Sequence, residues 1–196
     1  MIIGPDIIYE CPHCNHYISR GSIMSGNTFG ATFYSDGSRY APMLPEFPRI
    51  TKCTKCHTIF WFDDAKEIEG KNRDDFDTED PVHADDAGFL NIDEYFEALE
   101  KGLCRSNDDE FYIRQRILWE FNKKVRAGKP LFNHSREEKL WRDNINLLLL
   151  LIDYEDTNQK ILAAELNRNL GKFYTCVEIL GSVETDELDW LKKAFA

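Results

Sequence analysis

The sequence predicts an α+β protein: a small β module stapled by a metal, followed by an α-helical bundle. Three observations carry this expectation. Four cysteines fall in two tight pairs, Cys11-x-x-Cys14 and Cys53-x-x-Cys56. The hydrophobic period changes near residue 91, from short alternating runs to helical spacing. The charge is concentrated between these two parts. Of a net −11, residues 63–110 carry −13, while residues 1–62 and 111–196 carry +1 each. An acidic connector between two nearly neutral folded parts fits that distribution. The expected divisions are 1–62, 63–90 and 91–196.

With 196 residues, 42% of them hydrophobic, the chain can bury a sizeable core. Its longest apolar run, Leu147–Ile152, is far shorter than the roughly 18 residues of a membrane helix. The N-terminal "MIIGPDIIYECP" has neither a basic leader nor a long apolar segment, so no secretory signal is expected. A reducing cytoplasm follows, where paired cysteines bind metal more often than they form disulfides.

Two residues between cysteines allow both sulfurs to converge on one ion. Two such pairs make a closed tetrahedral site at Cys11, Cys14, Cys53 and Cys56, suited to a structural Zn2+. The same set can hold iron, the main competitor. A thiol redox pair has no need of two matched pairs. The residue after each knuckle needs a left-handed backbone, usually given by Gly. Here Asn15 and His57 stand there, both tolerant of positive φ. His13, His16 and His57 are read as neighbours of the site rather than ligands, and Cys104 and Cys176 as small core residues. With these residues in view, "YECPHC" and "CTKCHTIFWF" resemble the two knuckles of a zinc ribbon or rubredoxin-like module over the first 62 residues. The 38-residue gap is longer than a minimal ribbon needs.

Within the gap, "TFGATFYSDGSRYAP" alternates around Asp36-Gly37 and predicts a hairpin with strands near 28–34 and 38–42. Pro42, Pro45 and Pro48 then suggest an extended strap. "TIFWF" at 58–62 predicts a strand with two apolar faces, Ile59/Trp61 and Phe60/Phe62. Both need cover, so the ribbon is expected to pack against the hairpin insert or the helices. In the connector, Asp75, Asp77 and Glu79 alternate, but an EF-hand register would place Asp80 where Gly belongs and Asp86 where Glu belongs. A solvated loop is the expectation there.

The helical part starts with Ile92, Tyr95/Phe96 and Leu99 on one stripe. A longer helix is expected over 107–127, capped by Asn107, with Ile113, Ile117 and Phe121 inward and Gly128-Lys129-Pro130 ending it. Ser135 and Glu138 have capping-box spacing. The helix they start is apolar on every side at Leu147–Ile152, which predicts a central place in a bundle. Asp156 starts the next helix, Gly171 ends or bends it, another helix follows through Ile179, and Thr185 caps a last one. The stretch "ILAAELNRNLGKFYTCVEILGSV" resembles a tetratricopeptide-type helical hairpin. The resemblance implies that Ala164, Cys176 and Leu180 pack between its helices, with Asn167 where an aromatic is usual. It covers one repeat, so a plain helical bundle remains open beside it.

No P-loop, dinucleotide fingerprint, H-E-x-x-H or nucleophile elbow occurs. Trp119, Trp141 and Trp190 are read as core. The expected function is a zinc-stabilised adaptor or regulatory component that binds another protein and has no catalysis of its own. The alternative is a rubredoxin-like electron-transfer protein with a four-cysteine iron centre. Neither nucleic acid nor a membrane is an expected partner, because no basic face offsets the acidity and no long apolar segment exists.

Overall fold

The computed structural model describes residues 1–68 and 83–183. They form five helices and several small sheets, the mixed α+β class. The chain separates into two compact units. The first holds the chain up to Leu103 except residues 33–39; the second holds residues 33–39 and the chain from Cys104 onward.

The first unit is built from short strands because each knuckle reverses the chain. Strand β1 (Ile2–Ile3) precedes β2 (Ile7–Glu10), which pairs antiparallel with β3 (Tyr17–Arg20) across the first knuckle. Strand β4 (Ile23–Ser25) returns to pair with β1. The gap hairpin is shorter than its alternation suggests: β5 is Thr32–Phe33 and β6 is Arg39–Tyr40. The turn explains the limit. Tyr34 N–H donates to Ser38 O and Gly37 N–H to Tyr34 O, with Gly37 at φ 77°, so residues 34–38 are spent on a turn with a bulge. The proline strap opens with a second turn, Leu44 N–H donating to Ala41 O, and not as an extended helix.

Strands β7 (Ile50–Lys52) and β8 (Ile59–Trp61) form the hairpin of the second knuckle. Phe62 leaves the strand in a short 3-10 turn, so the strand is shorter than the apolar run. Strand β9 (Lys66–Glu67) pairs with β2, and β10 (Asp85–Asp86) runs parallel to β3. The described ends of the acidic segment are therefore sheet edges, where a solvated loop was expected. A backbone ladder overrides local charge when the side chains still face out; the residues of both strands are exposed. The alternating acids Asp75, Asp77 and Glu79 lie outside the described residues.

Ile59, Phe60, Trp61 and Phe62 are all buried. Phe60 and Phe62 join Tyr9 and Ile18 around Cys11 and Cys53. The Tyr9 and Phe62 rings meet edge-on at 4.7 Å. The Trp61 indole N–H donates to Leu103 O at 2.8 Å. Leu103 follows helix α1 (Ile92–Glu100), which belongs to the same unit. The start of α1 is fixed by a reciprocal capping box between Asn91 and Glu94.

The second unit is helical. Helix α2 (Asn107–Arg126) is capped one residue earlier than expected, by Ser106 and not Asn107, because the Ser106 hydroxyl accepts from Asp109 N–H. Ile113, Ile117 and Phe121 are fully buried along its inner stripe. Helix α3 (Ser135–Leu150) is capped by His134, whose Nδ1 accepts from Glu137 N–H; Ser135 is inside the helix, so the expected capping box does not form. Glu137 instead accepts from Asn133 N–H.

The inward face of α3 is Trp141, Asn144, Ile145 and Leu148. Leu147 and Leu150 are 42% and 79% exposed, which overturns the central placement expected from the Leu147–Ile152 run. Only every third or fourth residue of a helix can face one neighbour, and α3 ends within the run. Helix α4 (Thr157–Asn169) starts at Asp156, whose carboxylate accepts from Asn158 and Gln159 N–H. Helix α5 (Phe173–Gly181) follows a tight turn. There Gly171, at φ 75°, donates to Arg168 O and Lys172 to Asn167 O, the double bond of a Schellman ending. Within this unit α2 packs on α3, α3 on α4 and α4 on α5. The helix expected from Thr185, and Trp190 with it, lie outside the described residues.

Candidate metal centre

Each knuckle uses the same local device. After Cys11 the chain turns so that Asn15 N–H donates to Cys11 O and Cys11 N–H to His16 O, at 2.9 and 2.8 Å. After Cys53, His57 N–H donates to Cys53 O and Cys53 N–H to Thr58 O, both at 2.9 Å. The turn closes only if the fifth residue is left-handed, and Asn15 and His57 sit at φ 56° and 59°. They are the only non-Gly residues with positive φ among the described residues.

The two knuckles bring their sulfurs together. Cys11 Sγ lies 3.7 Å from Cys56 Sγ, and Cys14 Sγ lies 3.6 Å from Cys53 Sγ. All four sulfurs lie within 4.8 Å of one another. A tetrahedron with metal–sulfur bonds of about 2.3 Å has sulfurs about 3.8 Å apart. The donor set and its spacing therefore fit one ion, and these four residues could hold it. It is the only such group among the described residues. Four thiolates fill every position of a tetrahedral ion and leave none open to a substrate.

The electrostatics separate the buried cysteines from the outer ones. Cys11 and Cys53 are fully buried, and Cys14 and Cys56 are half-buried. Burial pushes the Cys11 thiol up to about 12 and raises that of Cys53. Cys56 is lowered to about 6, chiefly by hydrogen bonds from the Thr58 hydroxyl and then its backbone N–H. A cation reverses the cost at the buried pair, because it binds the thiolate and supplies the missing charge.

The histidines stay outside the sulfur cluster. His16 Nε2 is 2.8 Å from Asp85 Oδ2, and the Thr54 hydroxyl donates to the same oxygen. Asp85 thus ties both knuckles to β10. Nothing in the spacing of the acidic segment signals this. Cys176 is buried between α4 and α5 with Ala164 and Leu180, and Cys104 is half-buried. Asn167 is also buried, its amide donating to Ala163 O at 2.8 Å on its own helix. Trp141 is buried, whereas Trp119 is half-buried and donates to Asp36 O.

The chain matches no model of a known protein family, no curated protein and no solved structure. Among the described residues, no helix is long and apolar enough to cross a membrane.

Proposed function

We propose that this protein is an interaction adaptor: a zinc-stapled ribbon joined to repeat-like helices that dock another protein, with no chemistry of its own. The observation that carries this reading is the outer face of α5. Phe173, Tyr174 and Val177 are 65%, 87% and 68% exposed, while Cys176 and Leu180 on the other side are buried. A helix with apolar residues on both sides is the state of a repeat hairpin before its next neighbour arrives. A contiguous exposed apolar patch of this kind marks a protein-binding surface. The succession of α2 to α5, each packed on the next, agrees with a tetratricopeptide-like arrangement.

The closed sulfur set supports a structural ion, and zinc is the ion we assign to Cys11, Cys14, Cys53 and Cys56. Iron at the same sulfurs would instead mean electron transfer, and a red protein would reveal it. Cytoplasmic residence agrees with reduced cysteines at these positions.

The test is affinity capture from the native cell with the wild-type chain and with Val177→Glu, followed by reconstitution with the purified partner. A charge placed on the exposed face leaves metal content and helicity unchanged, and binding falls at least tenfold. Undiminished binding by the variant, or no partner that binds directly, would overturn the proposal.

A further inference from the structure

The two knuckle hairpins belong to different sheets. Strands β2 and β3 lie in a four-stranded sheet of order β10-β3-β2-β9, whereas β7 and β8 form a sheet of their own. Among the described residues, no backbone ladder holds one knuckle to the other. Two other things join them beside the sulfurs. One is the packing of Phe60 and Phe62 against Tyr9 and Ile18. The other is a strap, residues 84–88, laid across both hairpins.

The strap is tied on each side. Toward the first knuckle, β10 runs parallel to β3, and Ala87 N–H donates to Ser19 O at 2.7 Å. Toward the second, the Thr51 hydroxyl donates to Gly88 O at 2.9 Å. Asp85 stands where the two sets meet. A single oxygen, Oδ2, accepts from His16 Nε2 at 2.8 Å and from the Thr54 hydroxyl. His16 lies two residues after Cys14, and Thr54 directly follows Cys53. Those are two cysteines from opposite knuckles whose sulfurs lie 3.6 Å apart. One carboxylate oxygen therefore fastens together the backbone that carries a facing pair of sulfurs. An ion needs that pair held at this distance, and thiolates left without an ion repel each other. A contact made only when both hairpins are in place favours the ion, and by reciprocity the ion favours the contact.

We infer that residues 84–88 are a latch on the metal centre: Asp85 Oδ2, shared between His16 and Thr54, positions the two knuckles for the ion, and loss of the ion frees the strap from β3. The inference rests on an ion at the four sulfurs and goes beyond it, because it makes the end of the acidic segment respond to metal occupancy. Asp85 is a positioning residue and not a ligand; its carboxylate is outside the sulfur set. Its part is geometric. A negative charge beside four thiolates works against their ionisation, so charge alone would make the loss of Asp85 tighten the site. The acceptor oxygen is what holds the knuckles. An amide keeps that oxygen and its two donors, and a methyl group does not.

The experiment uses the full zinc-loaded chain, labelled with nitrogen-15, as wild type, Asp85→Ala and Asp85→Asn. Zinc extraction by an excess of a chromophoric chelator is followed in each, and amide hydrogen exchange is read at Ala87 and His57. The His57 N–H lies inside the second knuckle, donating to Cys53 O, and reports on the knuckle itself. In Asp85→Ala, extraction should be about tenfold faster, the low end for contacts outside a ligand set, because the Asp85 side chain is half exposed. Ala87 should lose its protection while His57 keeps it. Asp85→Asn should stay close to wild type in both readouts. Thr54→Val removes one of the two donors at nearly constant shape, and should also speed extraction. Unchanged extraction in Asp85→Ala overturns the inference. So does an Asn variant as leaky as the Ala variant, and so does joint loss of Ala87 and His57 protection, the mark of general loosening. These three results leave the metal centre standing. A wild-type chain that takes up no ion overturns the metal centre and the latch together.

Discussion

Replacing Asp36 by Asn should destabilise the helical unit far more than its place in a turn suggests. Asp36 is 2% exposed. One carboxylate oxygen accepts from the Ser38 N–H and hydroxyl, the other from Asn122 Nδ2 and Arg126 Nη1, and its backbone carbonyl accepts from Trp119 Nε1. An amide keeps the shape and one acceptor oxygen. Its NH2 must then face either the Ser38 donors or the Asn122 and Arg126 donors. Two hydrogen bonds to a charged group are lost, at roughly 1.5–3 kcal/mol each. Arg126 is partly exposed and can regain water, which reduces the cost. The net expectation is about 2–4 kcal/mol. Urea unfolding followed by far-ultraviolet circular dichroism would measure it, with metal content recorded on the same sample. The helical transition should move to lower urea at constant metal stoichiometry. A loss below about 0.5 kcal/mol would refute the assignment of Asp36 as a buried anchor.

Three further outcomes follow from the packing and the sulfur chemistry. Ala164→Leu should cost about 1–3 kcal/mol in thermal or urea unfolding, because Ala164 is fully buried against Cys176 and Leu180 and the α4–α5 contact cannot widen freely. His57→Val should loosen the second knuckle by about 1–2 kcal/mol, since φ 59° is strained for a β-branched residue; a competition titration with a chelator would show weaker metal retention. Above pH 9 the pH response should differ between the metal-free and metal-loaded forms. In the metal-free protein, burial raises the Cys11 thiol from 9.0 to about 12, so its contribution to stability is complete below pH 9 and is lost as pH rises toward 12. In the metal-loaded protein the thiolates are the bound form, so acid releases the ion and alkali does not. Unfolding scans of both forms between pH 5 and 11 would check the two slopes.

The sulfur site was legible because its requirements are local: two residues between cysteines, and a residue after each knuckle that accepts positive φ. Asn15 and His57 meet that need. Ile113, Ile117 and Phe121 were legible for a similar reason, as a stripe at helical period. What escaped depends on partners distant in sequence. Asp36 reads as an ordinary turn residue until Asn122 and Arg126 are brought to it. Asp85 reads as one acid among many until β10 sets it beside His16 and Thr54. The Leu147–Ile152 run misled because hydrophobicity counts side chains, whereas burial depends on which of them face a neighbour; Leu148 does and Leu150 does not.

The most direct measurement is the metal content of protein expressed with zinc and iron both available, joined to X-ray absorption at the metal edge. One zinc per chain is expected, colourless, with four sulfur neighbours at about 2.3 Å. Cys53→Ser should lose the ion and the ordered first unit while α2 to α5 keep their helical signal. Stoichiometric iron with visible charge-transfer bands would contradict the zinc assignment. A metal-free protein whose first unit stays ordered would show that no ion at Cys11, Cys14, Cys53 and Cys56 is needed to hold that unit together.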